Sequence, residues 1–505
     1  MPFVDLVSKE DYASLWYYTN SPYNNVGDFK PERPTIVMLH PFIMDSTWCY
    51  PQLDDPRLNE NYNIVILDTR LTGKSVCKFS GKYDLWVAAA DIAHAFHHLR
   101  LPAAHIFASE VFVLVALRLA ILFPELCLSL TLCNVPPEEE RKDVLNSLDD
   151  ILSLWCHAQD LATFEHANRD LLEFAAGKRL GKAGGGSPQN SISDRNREAY
   201  RDVLGSLGSA ERHLASAHAD KLVEVELEDE LVSFWQTTYP PFRRSYLMSF
   251  IQTFCHDQRI PLTADELAQI EMPVMIMQAA NNALYPVKYA EALRKKLVGV
   301  PNGAMLQLVH GRVGFITLVR SSIVNQLFSK FLATLERPGP HDECAASSLK
   351  FTMSRALQRL SLLKKDPSMR QRDVLTPLSF SCCDDETAQK HIELVKSYAK
   401  GQRSAFSPLG ADGRPIRKFS ERKDHWLSEE DLDGQDEVRR ESFHKPPAVW
   451  VDPPPSSDEK DDVASLATFS ISRRSEYSSG STIEKVPTRS DTRKSVQKQL
   501  IRLLR

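Results

Sequence analysis

Six short apolar runs, separated by helical patterns, constrain this chain more than any other feature. They occupy residues 34–40 (PTIVMLH), 63–68 (NIVILD), 105–108 (HIFA), 128–132 (LSLTL), 273–278 (PVMIMQ) and 304–309 (AMLQLV). A strand covered on one face alternates apolar with polar residues, whereas one covered on both faces reads as a continuous apolar run. Residues 84–99 lie between two such runs and carry Trp86, Ala89, Ala90, Ala93 and Phe96 as a helical apolar stripe. Alternating strand and helix patterns of this kind predict an α/β protein with a mostly parallel sheet and helices on both faces.

The pattern is interrupted. After Pro136-Pro137 the sequence is helical and polar to about residue 270, broken by a Gly/Ser-rich insert at 180–197 that reads as a flexible loop. The strand pattern then resumes, and residues 321–335 close it with an amphipathic helix. The expected organisation is an N-terminal segment at 1–33, a first half of the core at 34–137, a helical insertion at 138–270, a second half at 271–336, and a mostly disordered tail at 337–505. The tail follows from composition: Ser, Arg, Lys, Asp, Glu and Pro dominate it, and a chain so poor in apolar residues cannot offset its ordering entropy. Two stretches in it, 347–365 and 494–505, have the pattern of basic amphipathic helices.

Net charge and cysteines exclude several classes. The net charge of −5 gives no whole-chain argument for nucleic-acid binding. The nine cysteines are scattered, with no paired CxxC units, so no structural metal site is expected. Their odd number suits a reducing compartment, and residues 1–18 contain early acids and no long apolar run. A cytoplasmic protein is expected. Gly73-Lys74-Ser75 suggests a phosphate loop, but position 68 is Asp where that loop needs Gly. No cofactor is expected.

Three local motifs strengthen the fold reading. Leu39-His40-Pro41-Phe42 resembles the His-Gly-Phe loop that follows an early strand in the α/β-hydrolase superfamily. Asp68-Thr69-Arg70-Leu71-Thr72-Gly73-Lys74-Ser75 resembles that superfamily's D-x-R-G-x-G-x-S loop, and the strand from Pro273 to the loop ending at Pro286 resembles its acid-bearing element. Over roughly residues 34–335 the order of elements is similar to this superfamily, and the overall texture resembles divergent fungal members. The resemblance implies an α/β-hydrolase fold with a helical cap, an oxyanion-hole donor from the His40 loop, and a Ser-His-acid triad.

The triad positions hold other residues. The turn that reads G-x-S-x-G in the superfamily is here Ala108-Ser109-Glu110-Val111-Phe112, with Glu110 at the nucleophile's place; a register shifted by one would put Ser109 there. The acid loop carries Asn282, which cannot hold the charge that stabilises an imidazolium. The loop that carries His in the superfamily has Gly314 in its place, so the general base is missing. His40 and His310 are candidate stand-ins; His40 is also suited to bonding loop backbone. Phe42, Val111 and Trp235 are candidates for a ligand pocket, with Cys133, Asn134, Trp155, His157 and Tyr239 as further candidates that can equally be packing residues.

These residues support several functions. The first is a hydrolase-fold protein without the standard mechanism that binds a small apolar ligand or a partner. The second is a hydrolase of ester, lactone or epoxide substrates using Glu110 as nucleophile or as a base of raised pKa. The third is a scaffold acting through its tail, where Ser420, Ser442, Ser475 and Ser495 follow basic pairs and resemble kinase sites. The stretches at 347–365 and 494–505 are candidates for peripheral membrane contact.

Overall fold

The continuous apolar runs form the middle of a nine-stranded sheet. The computed structural model describes residues 2–9, 11–158, 160–175, 230–235, 238, 249–251, 253–254, 259–282, 284–310, 314–335 and 348–402. The strands are β1 (Phe3–Val7), β2 (Tyr12–Thr19), β3 (Thr35–Leu39), β4 (Asn63–Leu67), β5 (Val76–Cys77), β6 (Ala104–Ser109), β7 (Cys127–Cys133), β8 (Val274–Ala279) and β9 (Met305–Val309). Their order is β1-β2-β4-β3-β6-β7-β8-β9, with β5 paired to β2. From β4 to β9 every pairing is parallel, while β2 runs antiparallel to β1, β4 and β5.

Both faces of the parallel region are covered. Alternate residues of one strand enter different apolar clusters: Val37 and Leu39 join one, Ile36 and Met38 the other, and Val65 against Ile64 and Ile66 repeats the division on β4. This is the two-sided burial that removes polar residues from the runs. Helices α1 (Leu85–His98) and α2 (Phe112–Leu122) fill the first face, and α6 (Ser321–Thr334) supplies Val324, Phe328, Phe331 and Leu332 to the second. Helix α5 (Val287–Lys296) crosses between β8 and β9. Between β7 and β8 the described residues include α3 (Lys142–His157) and α4 (Leu161–Ala175); the expected loop at 180–197 lies outside the described residues.

A buried ion triad ties the N-terminus to this core. The Arg70 guanidinium donates Nη1 and Nη2 to Asp11 at 2.9 and 2.7 Å, and Nε and Nη2 to Asp91 at 2.7 and 2.8 Å. All three side chains are buried. Burial drives the Asp91 carboxyl up to about 6, opposed by the charge of Arg70. The sequence reading assigned no structure to residues 1–33, yet β1 and β2 extend the sheet there and bring Asp11 to Arg70.

The expectation of a disordered tail from residue 337 is corrected for residues 348–402. Helix α7 (Leu349–Leu363) begins at Ser348, whose hydroxyl accepts the Phe351 N–H at 3.3 Å. It buries Met353, Ala356, Leu357 and Leu360 in the main cluster, the i, i+3, i+4, i+7 face of an amphipathic helix. Arg359 donates to the Leu122 carbonyl at the end of α2 and to Glu125, where a cation favours the negative end of a helix. Downstream, Phe380 packs on Phe123 and the Cys382 N–H donates to Asp84 at 2.7 Å. The same carboxylate caps α1 through Trp86 and Val87. Helix α8 (Asp385–Gln402) follows, and His391 donates from Nδ1 to the Gly81 carbonyl at 3.0 Å. Met353, Leu357 and Leu360 of the 347–365 stripe are therefore buried in the core, while Phe351 and Leu362 are exposed. Residues 494–505 and the four kinase-type serines lie outside the described residues. No helix among the described residues is long and apolar enough to cross a membrane.

The strand order, the antiparallel β2 and the sharp turn from β6 into α2 are the α/β-hydrolase arrangement. If α7 belongs to the folded core, Leu357→Ala destabilises the chain by about 2–5 kcal/mol, as expected for a truncated core leucine. Urea unfolding of the full chain measures it, and a loss below about 0.5 kcal/mol would mean that α7 is not part of the cooperative unit.

Candidate functional site

The turn after β6 is strained at Glu110. Its φ is +57°, in the left-handed region that non-glycine residues rarely occupy. Ser109 remains in the β6 ladder opposite Cys133. The Glu110 N–H donates to the Cys133 carbonyl at 2.7 Å and its carbonyl accepts the Val113 N–H at 3.0 Å, which launches α2 directly from the turn. The sharp elbow therefore persists without its flanking glycines. Phe112 fits because it opens α2 and points into an aromatic cluster, edge-on to His40 at 4.6 Å and against Phe254 at 5.2 Å.

Glu110 bridges two loops. Its Oε2 accepts the Phe42 N–H at 3.0 Å and its Oε1 accepts the Phe315 N–H at 3.1 Å. Phe42 belongs to the loop after β3, and Phe315 follows Gly314 in the loop after β9. Both carboxylate oxygens are thus held by backbone donors from two separate loops. Burial raises the Glu110 carboxyl to about 7, and the two N–H donors oppose that rise. Phe315 and Asn134, which flank the same site, are also left-handed, with φ of +43° and +52°. Strain of this kind persists only where the surroundings over-determine it.

The other candidate residues do not complete a relay with Glu110. Asn282 is buried, and its Oδ1 accepts the Leu284 and Tyr285 N–H groups at 2.9 and 3.0 Å, so it shapes its own loop. Its Nδ2 is buried without a hydrogen-bond partner among the described residues. Position 314 is glycine, as read from the sequence, and residues 311–313 lie outside the described residues. His310 follows β9 with its side chain exposed and is not brought to Glu110. His40 is buried, with Nδ1 on the Pro41 carbonyl at 3.0 Å and Nε2 on the Thr72 hydroxyl at 3.1 Å. The carbonyl can only accept, so Nδ1 carries the proton. Burial drives the His40 ring down to about 4, which keeps it neutral and bound to its loop. Ser109 is buried and its hydroxyl has no partner among the described residues.

Of the expected pocket residues Phe42, Val111 and Trp235, only Phe42 lines the small cavity at Glu110. The cavity above Glu110 has a volume of about 10 Å³, bounded by Phe42, Asn282, Leu284, Tyr285, Gly314 and Phe315. That is room for about one water. Val111 and Trp235 do not line this cavity. Trp235 is buried and donates from Nε1 to the Ile43 carbonyl at 2.9 Å, Phe250 stacks on Phe42 at 5.8 Å, and Phe250 and Phe254 pack together at 4.5 Å. Trp155 is buried in the main cluster, His157 is exposed, and Tyr239 lies outside the described residues.

The Asp68–Ser75 loop is structural. Asp68 accepts the Ser46 and Lys74 N–H groups at 2.7 and 2.9 Å. A Cβ at Gly73, whose φ is +50°, would lie 2.0 Å from Asp68 Oδ2, so only glycine lets that carboxylate sit inside the turn. Sequence reasoning missed the Phe315 donor and the Phe250–Phe254 plug. The bridging role of Glu110 has no sequence signal beyond a carboxylate at the elbow.

Several solved structures are similar to this chain. An alpha/beta hydrolase enzyme from a Medee basin deep-sea metagenome library shares 14% identity over 66% of this chain and 99% of that one, with a TM-score of 0.46. An esterase from Exiguobacterium antarcticum shares 14% over 65% and 99%, with a TM-score of 0.44. The enol-lactonase from Burkholderia xenovorans shares 13% over 64% and 97%, with a TM-score of 0.42. No protein-family model and no curated protein matches the chain. The α/β-hydrolase fold is given by the sheet order and the elbow; the activities named for those proteins are theirs.

The raised carboxyl has a consequence for stability. Glu110 titrates near 4.5 when unfolded and at about 7 in the fold, so between those values the folded chain keeps a proton that the unfolded chain has released. Its contribution is complete below the unfolded value and is lost as pH rises through the folded one, by roughly 3 kcal/mol. Glu110→Gln removes the titration. The unfolding free energy of the parent chain minus that of the variant should fall by about that amount as pH rises through this window. A difference flat in pH would place the carboxyl in a solvated environment instead.

Proposed function

We propose that this chain is a non-catalytic member of the α/β-hydrolase fold, in which the elbow residue braces the structure and the protein works by binding. The observation that carries this reading is the Glu110 carboxylate held between the Phe42 and Phe315 N–H groups. A hydrolase of this fold uses the N–H at the Phe42 position to stabilise the oxyanion of its tetrahedral intermediate. Here an internal carboxylate takes that donor, and its charge would repel an oxyanion brought beside it.

The chemistry lacks its other parts as well. Asn282 and Gly314 supply neither the charge nor the base of a triad. His40 is committed to its loop and His310 is exposed. A cavity of about 10 Å³ does not admit an ester or lactone.

One observation favours a second reading, in which Glu110 acts as a general base. Its carboxyl at about 7 suits proton transfer near neutral pH. That role requires the aromatic plug to open and one of the two backbone bonds to break, so the brace accounts for more of the geometry.

A turnover screen of the full chain beside Glu110→Gln separates the two, using ester, lactone and epoxide substrates. The expected result is no hydrolysis above the buffer rate by either protein, with both folded. Hydrolysis by the parent that rises through neutral pH and disappears in Glu110→Gln would overturn the non-catalytic reading.

A further inference from the structure

A second cavity lies away from the elbow. It has a volume of about 200 Å³ and runs between α2, the Val135–Glu138 segment, residues 260–267 and α5. Its walls are apolar: Leu114 and Leu117 from α2, Val135, Leu262 and Leu267 from the loops, and Leu293 from α5. Helix α5 presents Tyr289, Ala292, Leu293 and Lys296 to it, the i, i+3, i+4, i+7 positions of one helical face. A concave apolar site with a few polar groups is the usual form of a small-ligand site.

One wall residue is a buried cation. Arg118 lines the cavity and is only 2% exposed. Nη1 donates to the Leu114 carbonyl at 3.0 Å and Nη2 to the Ile260 carbonyl at 2.7 Å. Nε donates to nothing among the described residues, and no carboxylate among them forms an ion pair with this guanidinium. Of the neighbouring acids, Glu266 pairs with Lys364 at 2.8 Å, Glu140 with Arg259 at 2.7 Å, and Glu138 with Lys296 at 2.7 Å across the rim, while the buried Asp84 acts on the guanidinium by its charge without direct contact. The Trp86 ring, 5.1 Å from the guanidinium carbon, supplies partial compensation by its π face. A buried charge with no carboxylate in direct contact is costly, and this one lines an apolar groove with its Nε unbonded among the described residues.

We propose that this groove is a binding site for a small carboxylic acid with an apolar body, such as a short aliphatic or single-ring acid. The carboxylate pairs with Arg118 and the body lies along the leucine walls. The rim pair Lys296–Glu138 leaves the groove without a second unpaired cation, which favours one carboxylate over a polyanion. The site uses none of the elbow residues, so it stands whether or not Glu110 is catalytic.

Calorimetric titration of the full chain with octanoate, and with octanol as the uncharged counterpart, tests this. Octanoate should saturate a single site, and octanol should bind at least about tenfold more weakly, the factor expected from a hydrogen bond to a charged group. Arg118→Gln should bring the two affinities together. Because Arg118 is buried, Ala292→Trp provides a variant independent of any folding defect: Ala292 is exposed and lines the groove, and an indole there should abolish octanoate binding. No saturable binding of octanoate, equal binding by Ala292→Trp, or equal affinity for octanol in the parent chain would each overturn the proposal.

Discussion

The Glu110 carboxylate is the contact that joins two loops at the end of the sheet. Each loop comes from a distant part of the sequence and donates one backbone N–H to it. A left-handed glutamate at the elbow costs about 1–2 kcal/mol, and burying its charge costs more. Hydrogen bonds to an ionised group contribute about 1.5–3 kcal/mol each, so two of them offset much of that cost. The rise of the carboxyl to about 7 shows that burial still outweighs them. Phe112, Phe250 and Phe254 pack against one another beside the strained turn.

A second buried charge cluster ties in the N-terminal hairpin. Arg70 holds Asp11 from the N-terminal hairpin and Asp91 from α1, and removing one partner of such a cluster leaves an uncompensated buried charge. The segment at 348–402 closes the outer face of α1 and α2 through α7 and through Asp84, which serves both the α1 cap and the Cys382 N–H. The folded body therefore extends in both directions beyond the hydrolase-like core read from the sequence.

The central strands were legible because two-sided burial leaves unbroken apolar runs, and 34–40 and 63–68 correspond to β3 and β4 within a residue or two. The elbow, acid and histidine positions were legible only through the resemblance to the α/β-hydrolase superfamily. The docking of α7 was harder to read. Its stripe of Met353, Leu357 and Leu360 is present in the sequence, but the same stripe suits a membrane surface or a free helix, and only the partner face of α1 and α2 decides. The packing of Phe42 and Trp235 was not legible, because it lies in how Phe250 stacks and where the Trp235 N–H points. The Phe315 donor is a backbone group, and no residue type announces it.

The most direct test of the brace is the pH dependence of the Phe42 and Phe315 amide resonances in the full chain, with isotopically labelled phenylalanine. Both N–H groups end on one carboxylate, so both signals should shift together with a single midpoint at about 7, and Glu110→Gln should abolish the titration of both. Signals that titrate separately, or that are indifferent to Glu110, would contradict the account.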